Sequence, residues 1–183
     1  MKRNLVTLAL LAALPFAANA GELSYNYVEA GYSLVNSAPD ADGLAVNGSY
    51  ALTDNIHAFG GYSTFNIENT PVDLDVWNLG LGYNYGLSNN TDLLVRGAYE
   101  KGYFDRGFAN PDGWYGETGV RSLFASNLEG WALVGYEDTE GSNGDVYGKF
   151  GAQIKINKSF GVVAEVKFID GDEQYFIGPR LTF

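Results

Sequence analysis

Apolar and polar residues alternate along most of the chain that follows residue 20. In one segment Trp77, Leu79, Leu81, Tyr83 and Tyr85 are separated by asparagine and glycine. This alternation is typical of a β-strand with two different faces. Asn, Asp, Gly and Ser bound the segments, and almost no stretch has the period of a helix. The chain is therefore predicted to be all-β.

Ten segments of this kind are predicted as strands. They lie at residues 28–34, 44–52, 56–65, 77–85, 93–100, 114–124, 130–136, 146–156, 161–169 and 175–183. Short turns at 53–55, 87–91, 125–128 and 157–159 alternate with acidic, glycine-rich links at 35–43, 66–75, 104–113, 137–145 and 170–173. An eight-stranded arrangement is the alternative, and it requires two well-patterned segments to be loops. Pro179 cannot donate to a ladder, so a bulge or a local gap is expected there.

The same alternation fits either a soluble sandwich or a transmembrane barrel, since the apolar face is inside in one and outside in the other. Two features of the strands favour the barrel. Tyrosine and tryptophan concentrate towards the ends of the apolar faces, as they do at membrane interfaces. The chain also ends in an aromatic residue, Phe183, on an alternating strand. This ending resembles the signal by which outer-membrane barrels are recognised for assembly. The predicted fold is an antiparallel up-and-down transmembrane β-barrel.

The N-terminus favours the barrel for a third reason, because it predicts export. Lys2 and Arg3 precede an apolar run over 5–16, and Ala18 and Ala20 form an Ala-x-Ala cleavage site. This order predicts a signal peptide over residues 1–20, cut after Ala20, and a barrel domain over 21–183. The apolar run is shorter than the roughly 20 residues that a membrane-spanning helix needs. The predicted location is the bacterial outer membrane.

Charge and composition restrict the partners. The net charge is −11, which argues against nucleic acid, because phosphates require clustered Lys and Arg. The chain has no cysteine and one histidine, His57, so disulfides, thiolate metal sites and multi-histidine centres are excluded. No cofactor, metal or catalytic residue is predicted. The expected partners are outer-membrane lipid and lipopolysaccharide and the barrel assembly machinery, and the oligomeric state is open.

Charged residues occupy the polar faces of the strands and are expected to form an ion-pair network in the lumen. This network comprises Glu29, Arg96, Glu100, Glu117, Arg121, Lys149, Glu165, Lys167 and Arg180. Arg96 and Glu100 lie four apart on one segment, and Glu117 and Arg121 do so on the next, which suggests a cross-strand ladder. The ladder is either a charged constriction that selects ions or a network that fills a narrow lumen. The second interpretation is favoured.

Two other features have both a functional and a structural interpretation. His57 follows the first short turn and is expected to point into the lumen, as a hydrogen-bonded structural histidine rather than a general base. The links are rich in Asp and Glu, whose oxygens hold divalent cations. Their spacing matches no calcium-binding loop, so solvated acidic loops are the favoured interpretation.

Several short motifs resemble a known family. They are LPFA at 14–17, SYNYVE at 24–29, NTDL at 90–93, AYEK at 98–101, GYED at 135–138 and GPR at 178–180. Together they resemble a family of small outer-membrane barrels from xanthomonads, once proposed as a quorum-sensing factor and activator of a rice immune receptor. The resemblance covers nearly the whole chain. It implies an outer-membrane location and release with membrane vesicles, and it carries no catalytic residues.

The function predicted from the sequence is a structural or surface-interaction role in the bacterial envelope. A narrow ion-conducting pore is one alternative, and a secreted quorum-sensing or immune-elicitor factor is another. A lipid- or peptide-hydrolysing barrel enzyme is disfavoured, because the outward rim offers no histidine and no evident nucleophile–base pair.

Overall fold

The computed structural model describes residues 23–105, 110–141 and 143–183. These residues form ten strands and include no helix with the length and hydropathy needed to cross a membrane. The strands are β1 (Tyr27–Asn36), β2 (Ala41–Ala51), β3 (Ile56–Ile67), β4 (Asp73–Ser88), β5 (Thr91–Phe104), β6 (Asp112–Ala125), β7 (Leu128–Thr139), β8 (Asp145–Lys155), β9 (Phe160–Ile169) and β10 (Asp172–Thr182).

Each strand pairs antiparallel with the next along the chain, and β1 closes the sheet by pairing with β10. The predicted ten-stranded up-and-down barrel is confirmed, and the eight-stranded alternative is wrong. Closure leaves no sheet edge, so the strands satisfy their backbone donors and acceptors among themselves. A protein in lipid requires this, because lipid offers no hydrogen bonds.

The apolar face of every strand points outward. Leu44 and Leu79 are more than 60% exposed on this face (63% and 61%), whereas Glu117, Glu129 and Arg180 are buried inside. A soluble barrel has the opposite arrangement, because water makes large apolar surfaces costly. The structure thus distinguishes the two interpretations that alternation alone left open, and the inside-out distribution is that of a transmembrane barrel.

β1 begins and β10 ends at the same end of the barrel, here called the terminal end. The opposite end is called the loop end. Aromatic pairs stand on the outer face, among them Trp77–Tyr99 and Trp114–Tyr136, with ring centroids 5.6 and 5.7 Å apart. Towards the loop end, the strands continue past these rings.

Strand extension makes the acidic links shorter than predicted. The connections at the loop end comprise only residues 37–40, 68–72, 105–111, 140–144 and 170–171. Asp42 and Asp75, which the sequence assigned to links, are paired strand residues whose side chains face outward. Beyond the apolar band, the strand ends have the acidic composition of a loop, although their backbone is still paired with the neighbouring strands.

Pro179 produces a gap but no bulge. The β1–β10 ladder has no pairs between Glu29↔Arg180 and Tyr32↔Ile177, and the register is the same on both sides. On the other side of β10, Pro179 pairs in register with Val162. The missing donor therefore interrupts one ladder without shifting the strand.

Candidate functional site

The terminal end of the lumen contains a cluster of buried charges around Glu129, which no solvent reaches. Arg121 Nε donates to Glu129 Oε1 at 2.6 Å, and Lys155 Nζ lies 3.1 Å from Glu129 Oε2. Arg180 Nη1 lies 3.9 Å from Glu129 Oε1, and Arg180 Nε donates to Glu29 at 2.7 Å. We call these five residues the floor cluster. One carboxylate thus interacts with three cations from three different strands.

Glu129 and Lys155 were missing from the predicted network. The turn was predicted over 125–128 and the seventh segment from residue 130, so Glu129 was left between them, whereas β7 begins at Leu128. Extending the alternation of Leu133 and Trp131 by one more step places Glu129 on the same inward face. Lys155 lies within the predicted segment 146–156, on the same face as Lys149, and is the last residue of β8.

An aromatic plug lies beside the floor cluster. The ring of Tyr25 stacks on His57 with centroids 4.5 Å apart, and the guanidinium of Arg121 lies 4.7 Å from the Tyr25 centroid. Burial raises the pKa of the Tyr25 phenol, which stays protonated and donates to Asp92 at 2.8 Å. Tyr25 also packs with the buried side chain of Leu94. The plug and the floor cluster together fill the terminal end of the lumen with buried side chains.

His57 lies in the lumen, as its position after the first turn predicted. It is 2% exposed, and among the described residues its Nδ1 has no hydrogen-bond partner. The expectation of a hydrogen-bonded histidine is therefore not met at this nitrogen. A Cβ at Gly82 would lie 2.1 Å from His57 Nε2, so the glycine makes room for the imidazole ring.

A second cluster surrounds Glu117, halfway along the lumen. Arg96 forms an ion pair with Glu117 across the β5–β6 ladder, in which the two residues are register partners. Lys149 Nζ lies 3.0 Å from Glu117 Oε2, and Tyr147 donates to the same oxygen at 2.8 Å. We call these four residues the middle cluster. Its side chains come from β5, β6 and β8, on either side of β7, and brace one wall of the barrel.

Two further contacts lie along this wall, one towards the loop end and one towards the terminal end. Lys167 forms an ion pair with Glu137, and the indole of Trp131 donates to Glu165 at 2.7 Å. Glu137 was predicted to lie in an outward link, but β7 runs to Thr139 and directs Glu137 inward. The continued alternation from Leu133 and Gly135 is the signal in the sequence that identifies its inward position.

The predicted ladder exists at only one of its two steps. Arg96 faces Glu117, whereas Glu100 faces Gly113 and Arg121 faces Asp92. Antiparallel strands run in opposite directions, so moving four residues along each strand from Arg96↔Glu117 carries the two side chains apart. Arg121 therefore reaches the floor cluster, and Glu100 lies on the other side of the middle cluster.

A cavity of about 500 Å³ occupies the rest of the lumen. It extends from Tyr25 and His57 at the plug to Ser37 and Pro39 in the first connection of the loop end. Among the described residues, no group of three or more His, Cys, Asp or Glu is arranged to hold a metal ion. Phe183 is 65% exposed beyond the end of β10, and Ala18 and Ala20 lie outside the described residues.

Comparisons with known proteins identify the fold. No protein-family model matches the sequence, and no curated protein sequence matches it. The KdgM porin superposes with a TM-score of 0.50 at 10% identity, over 85% of this chain and 99% of that chain. OprG from Pseudomonas aeruginosa has a TM-score of 0.47 at 12% identity, over 90% and 98% of the chains. Ail of Yersinia pestis has 0.41 at 12%, over 90% and 100%. At these identities, the similarity to solved outer-membrane barrels concerns the fold alone.

Proposed function

We propose that this protein is an outer-membrane β-barrel with a closed lumen and a structural or surface-interaction role in the bacterial envelope. The observation that carries the proposal is the floor cluster, because Glu129 and its three cations fill the terminal end. A closed barrel does not conduct, so its contacts with the surroundings are made by its outer face and by the loop end. The apolar outer face and the fold of the solved barrels support the membrane location.

Membrane insertion is tested by fractionation and by electrophoresis. Closed barrels in the outer membrane resist denaturant at room temperature, so the unboiled protein is expected to migrate differently from the boiled protein in an outer-membrane fraction. Equal migration, together with recovery from the soluble periplasm, would contradict the proposal. N-terminal sequencing of the same fraction tests the predicted cleavage after Ala20.

Closure of the lumen is tested by recording from planar lipid bilayers. The native protein is expected to give no discrete conductance steps. The double variant Arg121→Ala, Glu129→Ala removes both signs of charge and shortens both side chains, so steps are expected to appear. A matched control, Glu140→Ala, changes an exposed carboxylate at the loop end and is expected to stay silent. Conductance steps in the native protein would favour the alternative function, a narrow ion-conducting pore. The cavity between the plug and the loop end is the observation that supports this alternative.

The remaining sequence predictions belong to the same proposal. Lipopolysaccharide is the expected neighbour of the outer face, and the assembly machinery is expected to recognise Phe183. Release with vesicles and a quorum-sensing or elicitor role follow from the family resemblance, and assaying purified vesicles for the protein tests the first of them. We propose no enzymatic role, since His57 is stacked on Tyr25 within the plug instead of facing an open rim.

A further inference from the structure

The cavity of the lumen has two unlike walls towards the loop end. One wall, from β10 and β1–β4, is apolar, and the other, from β5–β9, is charged. The apolar wall includes Val35, Ala41, Phe65, Leu74, Val76 and Phe176, with the uncharged polar side chains of Ser63 and Gln174 on the same strands. The charged wall includes Arg96, Glu100, Glu137, Lys149, Glu165 and Lys167.

An apolar wall is unexpected in a lumen that holds only water. Water-filled barrels have polar interiors, and exposing Phe65, Val76 and Phe176 to water forfeits the free energy of burying them. Cavities of about 300–1,000 Å³ with apolar walls and a few polar groups are typical of small-molecule sites. The volume of about 500 Å³ lies in that range. The cavity therefore has the character of a binding site for a molecule with an apolar side and a polar group.

The charged wall indicates the sign of that polar group. Among the described residues, Glu100 is the one lumen glutamate with neither an ion pair nor a hydrogen bond. Lys149 and Lys167 act on it electrostatically, but they are already paired with Glu117 and Glu137. A half-buried carboxylate without a partner is costly, and a cation on a ligand removes this cost.

Glu100 also stands where the two walls meet. Its register partner on β4 is Asn78, two residues from Val76 of the apolar wall. A ligand that lies along Val76 therefore has its end close to this carboxylate.

The charge at the loop end favours the same sign. Its connections and outward strand ends carry acidic residues, including Asp40, Asp42, Glu68, Asp73, Asp75, Asp138, Glu140, Asp170, Asp172 and Glu173. Negative charge around the mouth of a cavity raises the local concentration of cations and repels anions. Because the plug and the floor cluster fill the terminal end and the cavity extends to Ser37 and Pro39, the loop end is the expected route of entry.

We propose that the cavity binds a small cationic amphiphile, an apolar body that carries one amine. The body lies against Phe65, Val76 and Phe176, and the ammonium group pairs with Glu100. This inference goes beyond the proposed function, and it needs only the folded barrel and its cavity. It assigns a ligand class to a lumen that the floor cluster closes to through-flow.

Binding is tested with the protein in lipid nanodiscs, with empty nanodiscs as the reference for partition into lipid. The probes are 4-phenylbutylamine and its carboxylate counterpart, 4-phenylbutanoate, measured by isothermal titration. Saturable binding of the amine is expected, with the carboxylate about tenfold weaker or undetectable. Equal binding of the two probes, or no saturable binding of the amine, would overturn the proposal.

Two variants locate the site. Glu100→Gln keeps the shape of the side chain and is expected to weaken amine binding by about tenfold. Ser63→Trp fills the cavity from β3 without changing any charge and is expected to abolish binding. Glu140→Gln, at the exposed loop end, is the charge-matched control and should bind as the native protein does. Native affinity in both cavity variants refutes the site, and the gel-migration assay reports separately on whether each variant is folded.

Discussion

The floor cluster is the most consequential feature of the lumen for stability, and Glu129→Gln tests it. The substitution keeps the volume of the side chain but removes the charge that Arg121, Lys155 and Arg180 share. The three buried cations, which come from three strands, then lie close together without the carboxylate of Glu129 between them. Breaking a buried pair by removing one partner costs about 3–5 kcal/mol, because the remaining charge cannot be solvated.

The free energy of unfolding of Glu129→Gln is therefore expected to fall by about 3–5 kcal/mol. At a urea dependence of about 2 kcal/mol per molar, the midpoint moves down by about 1.5–2.5 M. Tryptophan fluorescence in lipid vesicles measures this, since Trp131 lies beside the lumen cavity and Trp114 on the outer face. Glu140→Gln, which changes an exposed carboxylate, is expected to unfold within about 0.5 kcal/mol of the native protein. A loss below about 1 kcal/mol for Glu129→Gln would refute the view that the floor cluster is a tightly coupled buried network.

Three further outcomes follow from other parts of the barrel. Gly82→Ala places a Cβ 2.1 Å from His57 Nε2, so the free energy of unfolding in urea is expected to fall by about 1–3 kcal/mol. In the control Gly86→Ala, the Cβ would meet its nearest atom at 3.9 Å, and the free energy of unfolding is expected to change little. Equal losses in the two variants would contradict the steric argument. Leu81→Lys puts a charge in the middle of the apolar outer face and is expected to lower the free energy of unfolding in lipid vesicles by about 2–4 kcal/mol. An unchanged urea midpoint would argue against a lipid-facing surface. Phe183→Ala is expected to lower the amount of barrel assembled in cells but not the yield on refolding the purified protein; a loss in both assays would indicate a role in stability instead.

The sequence alone was sufficient to predict the ten strands. Alternation such as that of Trp77, Leu79 and Leu81 is a local property of one strand, because successive side chains point to opposite faces. Boundaries were less accurate, and the errors had functional consequences. Glu129 and Glu137 lie one step beyond the ends assigned to the seventh segment, so both were excluded from the lumen although the alternation continues through them.

Tertiary structure alone decided which lumen charges meet. The sequence placed Arg96, Glu100, Glu117 and Arg121 on inward faces, but pairing depends on the register between strands and on the closure of the barrel. Register brings Arg96 to Glu117 and places Glu100 opposite Gly113, which has no side chain to pair with it. The folded barrel brings β6, β8 and β10 close enough to β7 for Arg121, Lys155 and Arg180 to meet at Glu129.

The division of the cavity into an apolar and a charged wall has the same origin. Each inward residue is set by the local alternation of its own strand, and no single strand contains both walls in full. The order of the ten strands around the closed sheet gathers the apolar positions on one side and the charged positions on the other. The sequence thus determined the strands and the faces of this protein, because these depend on neighbouring residues. The contacts within its lumen depend on residues far apart in the chain, and only the folded barrel decides them.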